Sequence, residues 1–189
     1  MSLLTIDDRL FLLRLARHSV EAAVRGEQAN LPSEIPIALH ANLGAFVTLF
    51  RDRELRGCVG FLASTEPLYK AVIAAAAGAA LRDPRFTPVL PAELPVLDLE
   101  ISVLSEFEEI RPDEIRIGTH GLVVTHGSAR GLLLPQVAVE RNWSAQRFLE
   151  ETCRKAGLAP DAWRRDTIIE AFTADVFSEH DGADGRQSA

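Results

Sequence analysis

The sequence predicts an α+β fold, a mainly antiparallel sheet flanked by helices in a single domain with room for a smaller lobe. Three observations point there. Residues Val96 to Leu104 alternate, with Leu97, Leu99, Ile101 and Val103 on one face and Asp98, Glu100 and Ser102 on the other, as a half-buried strand requires. Two runs rich in β-branched and aromatic residues, Gly44 to Phe50 and Leu55 to Phe61, flank the charged tetrad Arg51-Asp52-Arg53-Glu54 and read as a hairpin. Capped helical stretches precede and follow that hairpin, and no linker or internal repeat divides the chain.

In chain order, Thr5-Ile6-Asp7-Asp8 sets a threonine cap against a later acid, and Leu10, Leu13, Arg14, Arg17, Val20 and Ala23 follow at helical spacing. A first helix therefore runs from about Asp7 to Arg25 and stops at Gly26. The prolines between Leu31 and Ala38 forbid its continuation. After the hairpin, Ser64-Thr65-Glu66-Pro67 offers a hydroxyl cap, an acid and a first-turn proline, so a second helix spans Glu66 to Leu81. Asp83-Pro84 ends it, because the residue before proline avoids helical geometry. Gly121 to Thr125 and Arg130 to Leu134 form a further hairpin around Gly127-Ser128-Ala129, closed by Pro135. Ser144 caps a helix carrying Phe148, Leu149, Thr152 and Cys153 that stops at Gly157. Ile168 to Phe177 reads as a last strand of the main sheet, and the polar residues from Glu179 on read as a disordered tail.

Composition narrows the function classes. With 189 residues, 47% of them hydrophobic, the chain can bury a core without staples. Its two cysteines, Cys58 and Cys153, are too few for a disulfide framework or a cysteine-built metal site, which points to a reducing cytoplasm. The longest low-charge stretch, Ala71 to Leu81, is a helix of alanines too short to span a bilayer, so no membrane role is expected. A net charge of -7 opposes broad nucleic-acid binding. No histidine pair has metal spacing and no nucleotide-binding glycine loop occurs, so neither metal nor cofactor is expected.

Several residues are candidates for chemistry. Strand alternation sets Arg56, Cys58 and Gly60 on one face and Leu55, Gly57, Val59 and Phe61 on the other, the apolar set facing the core. A guanidinium beside a thiol favours thiolate, which makes Cys58 a candidate nucleophile; the burial tendency of free cysteine favours a packing role instead. Glu100 shares that face, either binding a ligand with Arg56 or pairing with it across strands. His120, just before Gly121, is the candidate acid–base histidine. Asp83 and Arg85, in the loop leaving the second helix, and Gln136, behind Pro135, are candidate binding groups.

The segments Leu55-Arg56-Gly57-Cys58-Val59-Gly60, Asp83-Pro84-Arg85-Phe86, His120-Gly121 and Gly131-Leu132-Leu133-Leu134-Pro135-Gln136-Val137-Ala138, together with Phe148-Leu149 and Cys153, occur in one order along the chain. In these the sequence resembles the AMMECR domain family, the AmmeMemoRadiSam system protein A group of bacteria and archaea. The resemblance implies a compact α+β fold over residues 1 to 178, with 179 to 189 as the tail. It implies association with a Memo-type protein of dioxygenase-like fold and with a radical SAM enzyme, and it carries no catalytic role. The expectation is a binding or accessory component of that system. The alternative is an enzyme acting on a small molecule or modified nucleotide through a pocket lined by Arg56, Cys58, Glu100 and His120.

Overall fold

The structure is a computed structural model and describes residues 4–181. The chain divides into two compact units, one built from the residues up to Leu104 together with those from Asp175 on, the other from Ser105–Ala174. Both units combine helices with antiparallel pairing, so the fold is α+β.

The first unit opens with helix α1, Ile6–Arg25. Thr5 Oγ accepts the Asp8 N–H at 3.2 Å while the Asp8 carboxylate accepts the Thr5 N–H at 3.0 Å, a reciprocal cap that satisfies two orphan donors. Gly26, at φ 73, ends the helix in the left-handed region that lacks a steric penalty only for glycine. Strands β1, Ala45–Arg51, and β2, Glu54–Phe61, are joined by a two-residue turn in which Asp52 and Arg53 both have positive φ. That turn twists with the strands and so suits a tight hairpin. Helix α2, Leu68–Leu81, lies against both strands, and strand β3, Leu97–Leu104, pairs with β1 on the side away from β2. Leu12, Val20, Val47, Leu49, Val72, Ala76, Leu99 and Ile101 meet in the core between the helices and the sheet.

A one-residue bulge between Leu49 and Phe50 changes the phase of β2: Leu49 pairs with Gly57 but Phe50 pairs with Leu55, leaving Arg56 as the unpaired residue. This corrects the alternation read from sequence. Gly57 and Val59 keep the core side, whereas Leu55 slips to the opposite face and is 40% exposed. Gly57 is required by close packing, since a Cβ there would lie 2.2 Å from the Ala79 carbonyl oxygen of α2.

The second unit contains β4, Glu108–Glu109, β5, Gly121–His126, β6, Ala129–Leu133, helix α3, Pro135–Glu140, helix α4, Ala145–Lys155, and β7, Ile168–Phe172. Its sheet runs β4-β7-β5-β6, every pair antiparallel. Leu122, Phe148, Leu149 and Ile169 form its core. Ser144 Oγ accepts the Arg147 N–H at 3.2 Å and so caps α4, as its position before the apolar run requires.

The chain then returns to the first unit, where β8, Ala174–Ser178, completes the sheet order β2-β1-β3-β8. The single strand expected over Ile168 to Phe177 is therefore two strands in two sheets. They part at Thr173, whose carbonyl accepts the Ser105 N–H at 2.9 Å and whose N–H donates to Ser105 Oγ at 2.9 Å. Two starts also differ from expectation. Ser64 Oγ accepts the Glu66 N–H at 3.0 Å in the turn ahead of α2, which begins only after Pro67, and Pro135 opens α3 instead of merely closing a hairpin arm. Within the expected tail, Glu179 donates its N–H to the Leu99 carbonyl at 3.1 Å and its carboxylate pairs with Arg17; residues 182–189 lie outside the described residues.

Candidate functional site

Four of the sequence-selected side chains, Arg56, Cys58, Asp83 and Arg85, gather at the free edge of β2, where the segment leaving α2 runs past it. Asp83 is buried and bonds in two directions. Its Oδ2 accepts the Cys58 N–H at 2.8 Å, occupying an outward-facing donor of the edge strand. The same carboxylate grips Arg85, accepting from Nε at 3.0 Å and from a terminal guanidinium nitrogen at 2.7 Å, and accepts the Arg85 N–H at 3.1 Å. Arg85 first, then the two backbone bonds working against the burial cost, hold the Asp83 carboxyl well below the usual carboxylate range. Arg85 in turn is held above its ordinary value by its bond to Asp83, against the cost of burial. Its side chain remains 56% exposed and lies 5.5 Å from the Phe86 ring centroid.

Arg56 serves differently from expectation. The bulge turns it toward Glu93, to which Nε and Nη2 donate at 2.9 Å and 3.0 Å, while Nη1 donates to the Thr87 carbonyl at 2.9 Å and Nη2 also donates to that of Pro88 at 3.4 Å. Both partners are mostly buried. Arg56, followed by the Leu90 N–H, lowers the Glu93 carboxyl to about 2. The pair walls a cleft of about 640 Å³ that Arg51, Phe86, Thr87, Pro88 and Leu90 complete.

The expected Arg56 contact with Glu100 is thus absent, because Glu93 takes the guanidinium. Glu100 stands opposite Thr48 on β1, and Thr48 stands opposite Cys58, so the three form a row across one sheet face with Glu100 two strands from the thiol. Thr48 Oγ donates to Cys58 Sγ at 3.3 Å. Burial first, then the nearby Asp181 carboxylate, push the Glu100 carboxyl up.

His120 and Gln136 belong to the second unit. His120 lines a concavity of about 610 Å³ with Glu106, Glu108, Asp113, Glu114 and Arg116. Its Nδ1 accepts the Arg116 N–H at 3.2 Å, which fixes the neutral tautomer with the proton on Nε2. Burial, then Arg116, lower its pKa. Gln136 is exposed in the first turn of α3. Glu93 and Thr48 are the site residues that sequence reasoning missed. Glu93 had a legible signal, an acid in the third position of the 3-10 turn Pro91–Val96, where it accepts the Leu90 N–H at 2.8 Å. Thr48 had none beyond its place in a strand. Among the described residues no group of three or more His, Cys, Asp or Glu side chains is placed to share a metal ion, and no helix is long and apolar enough to cross a membrane.

Comparison with known proteins supplies the family. The AMMECR1 family model matches residues 13–177. A protein of Thermococcus gammatolerans is 47% identical over 182 residues, covering 89% of each chain, and one of Methanothermobacter thermautotrophicus is 43% identical, covering 93% of this chain and 96% of its own. The crystal structure of an uncharacterized protein, PH0010 from Pyrococcus horikoshii, superposes with a TM-score of 0.85 at 41% identity over 94% of both chains. With a model match across most of its length and relatives this similar over nearly all of theirs, the chain belongs to the AMMECR1 family.

Proposed function

We propose that this chain is a cytoplasmic binding component that acts with a Memo-type protein and a radical SAM enzyme, the partners its family resemblance implies. The observation that carries the reading is the double duty of Asp83, which anchors the β2 edge and holds Arg85 in a bidentate grip. A guanidinium fixed in this way loses little freedom when it meets an anion, so a surface carboxylate or phosphate of a partner or its ligand is the matching chemistry. The adjoining cleft beside Arg56 and Glu93 adds apolar contact area through Phe86, Pro88 and Leu90. Residues 1 to 178 form the AMMECR domain in this reading, and Glu179, bonded to Leu99 and Arg17, extends it.

The test is native co-purification of a tagged full-length chain at cellular concentration. At least one of the two partners is expected in stoichiometric yield, and Arg85→Ala is expected to weaken its retention about tenfold, the loss of one charge-assisted contact worth about 1.4 kcal/mol. Recovery of the chain alone would sink the proposal. A second reading, an enzyme acting on a small molecule or modified nucleotide, draws on the half-buried thiol of Cys58 between Thr48 and Arg85. It predicts a metabolite that accumulates in cells lacking the gene and that disappears on complementation with wild type but not with Cys58→Ala.

A further inference from the structure

We propose that the Cys58–Phe61 half of β2 is a docking edge for a short extended segment of a partner protein, which adds as a fifth strand and seats an apolar side chain against α2. The inference rests on the binding-component reading and gives it a second surface, separate from Arg85.

The alternation of an antiparallel ladder fixes which groups face outward. Cys58 donates its N–H to Asp83, so it faces the edge, and with the register unbroken from Gly57 to Phe61 the N–H of Gly60 must face the same way. Among the described residues nothing accepts from the Gly60 N–H, and nothing donates to the carbonyls of Cys58 or Gly60. These groups form a short unpaired row with the donor and acceptor spacing that only another main chain matches.

The two faces of that row differ. On one, the Phe46 ring lies over Gly60, and a Cβ at Gly60 would come within 2.5 Å of it. On the other, Phe61 shares the α2 side with Gly57 and Val59, and a pocket of about 360 Å³ opens there, lined half by Phe61, Ala63, Ala71 and Ala74 and half by polar residues, Glu66 and Lys70 among them. Side chains of an added strand alternate between faces, so one in two would point into this pocket, which has room for a single large apolar side chain.

The occupant is a linear segment and not a second copy of this chain. Asp83 and Arg85 block the edge on the near side of Cys58, leaving a row too short for the roughly 800 Å² per partner that a stable dimer buries. A short motif with every second residue apolar is the chemistry that fits.

The probe is a random dodecapeptide phage library panned against the full-length chain. Enriched peptides are expected to carry large apolar residues at alternate positions. The synthetic peptide should slow exchange of the Gly60 amide at least tenfold while changing the Cys58 amide little, since Asp83 already holds that one. Ala74→Glu should reduce affinity at least tenfold, and Ala63→Trp, on the exposed wall of the pocket, serves if Ala74→Glu unfolds. Peptide binding is measured on the purified chain and partner retention by co-purification, so failure here and failure of the Arg85 reading are read separately. Failure to enrich any peptide, binding indifferent to both pocket variants, or protection of Gly60 by self-association without peptide would each overturn the proposal.

Discussion

Asp83 and Cys58, 25 positions apart, are joined by a 2.8 Å bond from a strand-edge N–H to a buried carboxylate, so the loop after α2 is tied to the sheet through a charge. Asp83→Asn keeps the shape and one acceptor but loses the charge that Arg85 and the backbone donors share. A loss of about 1–3 kcal/mol in unfolding free energy at pH 7 is expected by urea titration, with the exposure of Arg85 keeping its share small. The folded carboxyl is depressed, so its contribution is present above its unfolded value near 4 and fades as pH falls toward the folded one. The gap between wild type and variant should therefore narrow below about pH 4.

Arg56→Lys tests whether the bulge residue acts by its fork or by its charge. An ammonium cannot reproduce two bonds to Glu93 together with two to the carbonyls of Thr87 and Pro88. The buried carboxylate is left poorly matched, and a destabilisation of about 1–3 kcal/mol is expected from thermal and denaturant melts. A melting temperature equal to that of wild type would show that the charge alone suffices.

The two cysteines should differ sharply toward a small alkylating reagent. Cys153 is fully buried, and burial raises its thiol, whereas Cys58 is half-buried at the sheet edge. Labelling of native protein, followed by mass spectrometry, should modify Cys58 on the order of tenfold faster or more. Arg56→Ala should leave that rate unchanged, because Arg56 is engaged by Glu93. Cys58→Ser should cost about 1 kcal/mol or less, since Thr48 Oγ stands ready as a partner for the new hydroxyl.

His120 should titrate below its unfolded value of about 6.5 when followed by ring-proton NMR. Protonation would remove the Nδ1 lone pair that accepts the Arg116 N–H. The unfolded chain binds the proton more readily, so stability from this group falls as pH drops through that window, and His120→Gln should flatten the fall.

Much of the fold was legible because burial writes period into sequence. The alternation of Leu97 to Val103 and the Thr5–Asp8 cap each state their structure locally, and both form as their patterns require. The bulge at Arg56 was not legible, since one inserted residue leaves the pattern of Leu55 to Phe61 intact while shifting Leu55 to the other face. Nor was the break at Thr173, where a distant hydroxyl, that of Ser105, decides which strand the chain leaves. The site was half legible. Asp83, Arg85, Arg56 and Cys58 do converge, but their pairing is not local, and sequence alone could not say that Glu93 rather than Glu100 would take Arg56.

The bonds between Ser105 and Thr173 have a consequence for the order in which the protein is made. They close a segment whose ends are 68 positions apart, and only beyond it does the chain supply β8, the neighbour of β3. At typical translation rates β3 therefore waits roughly 3 to 14 s with a bare edge while the ribosome finishes the intervening residues. A nascent chain stalled short of Asp175 would present that edge, flanked by Leu97, Leu99 and Ile101, to any neighbouring polypeptide, which makes the interval before β8 emerges a time when this protein needs a chaperone.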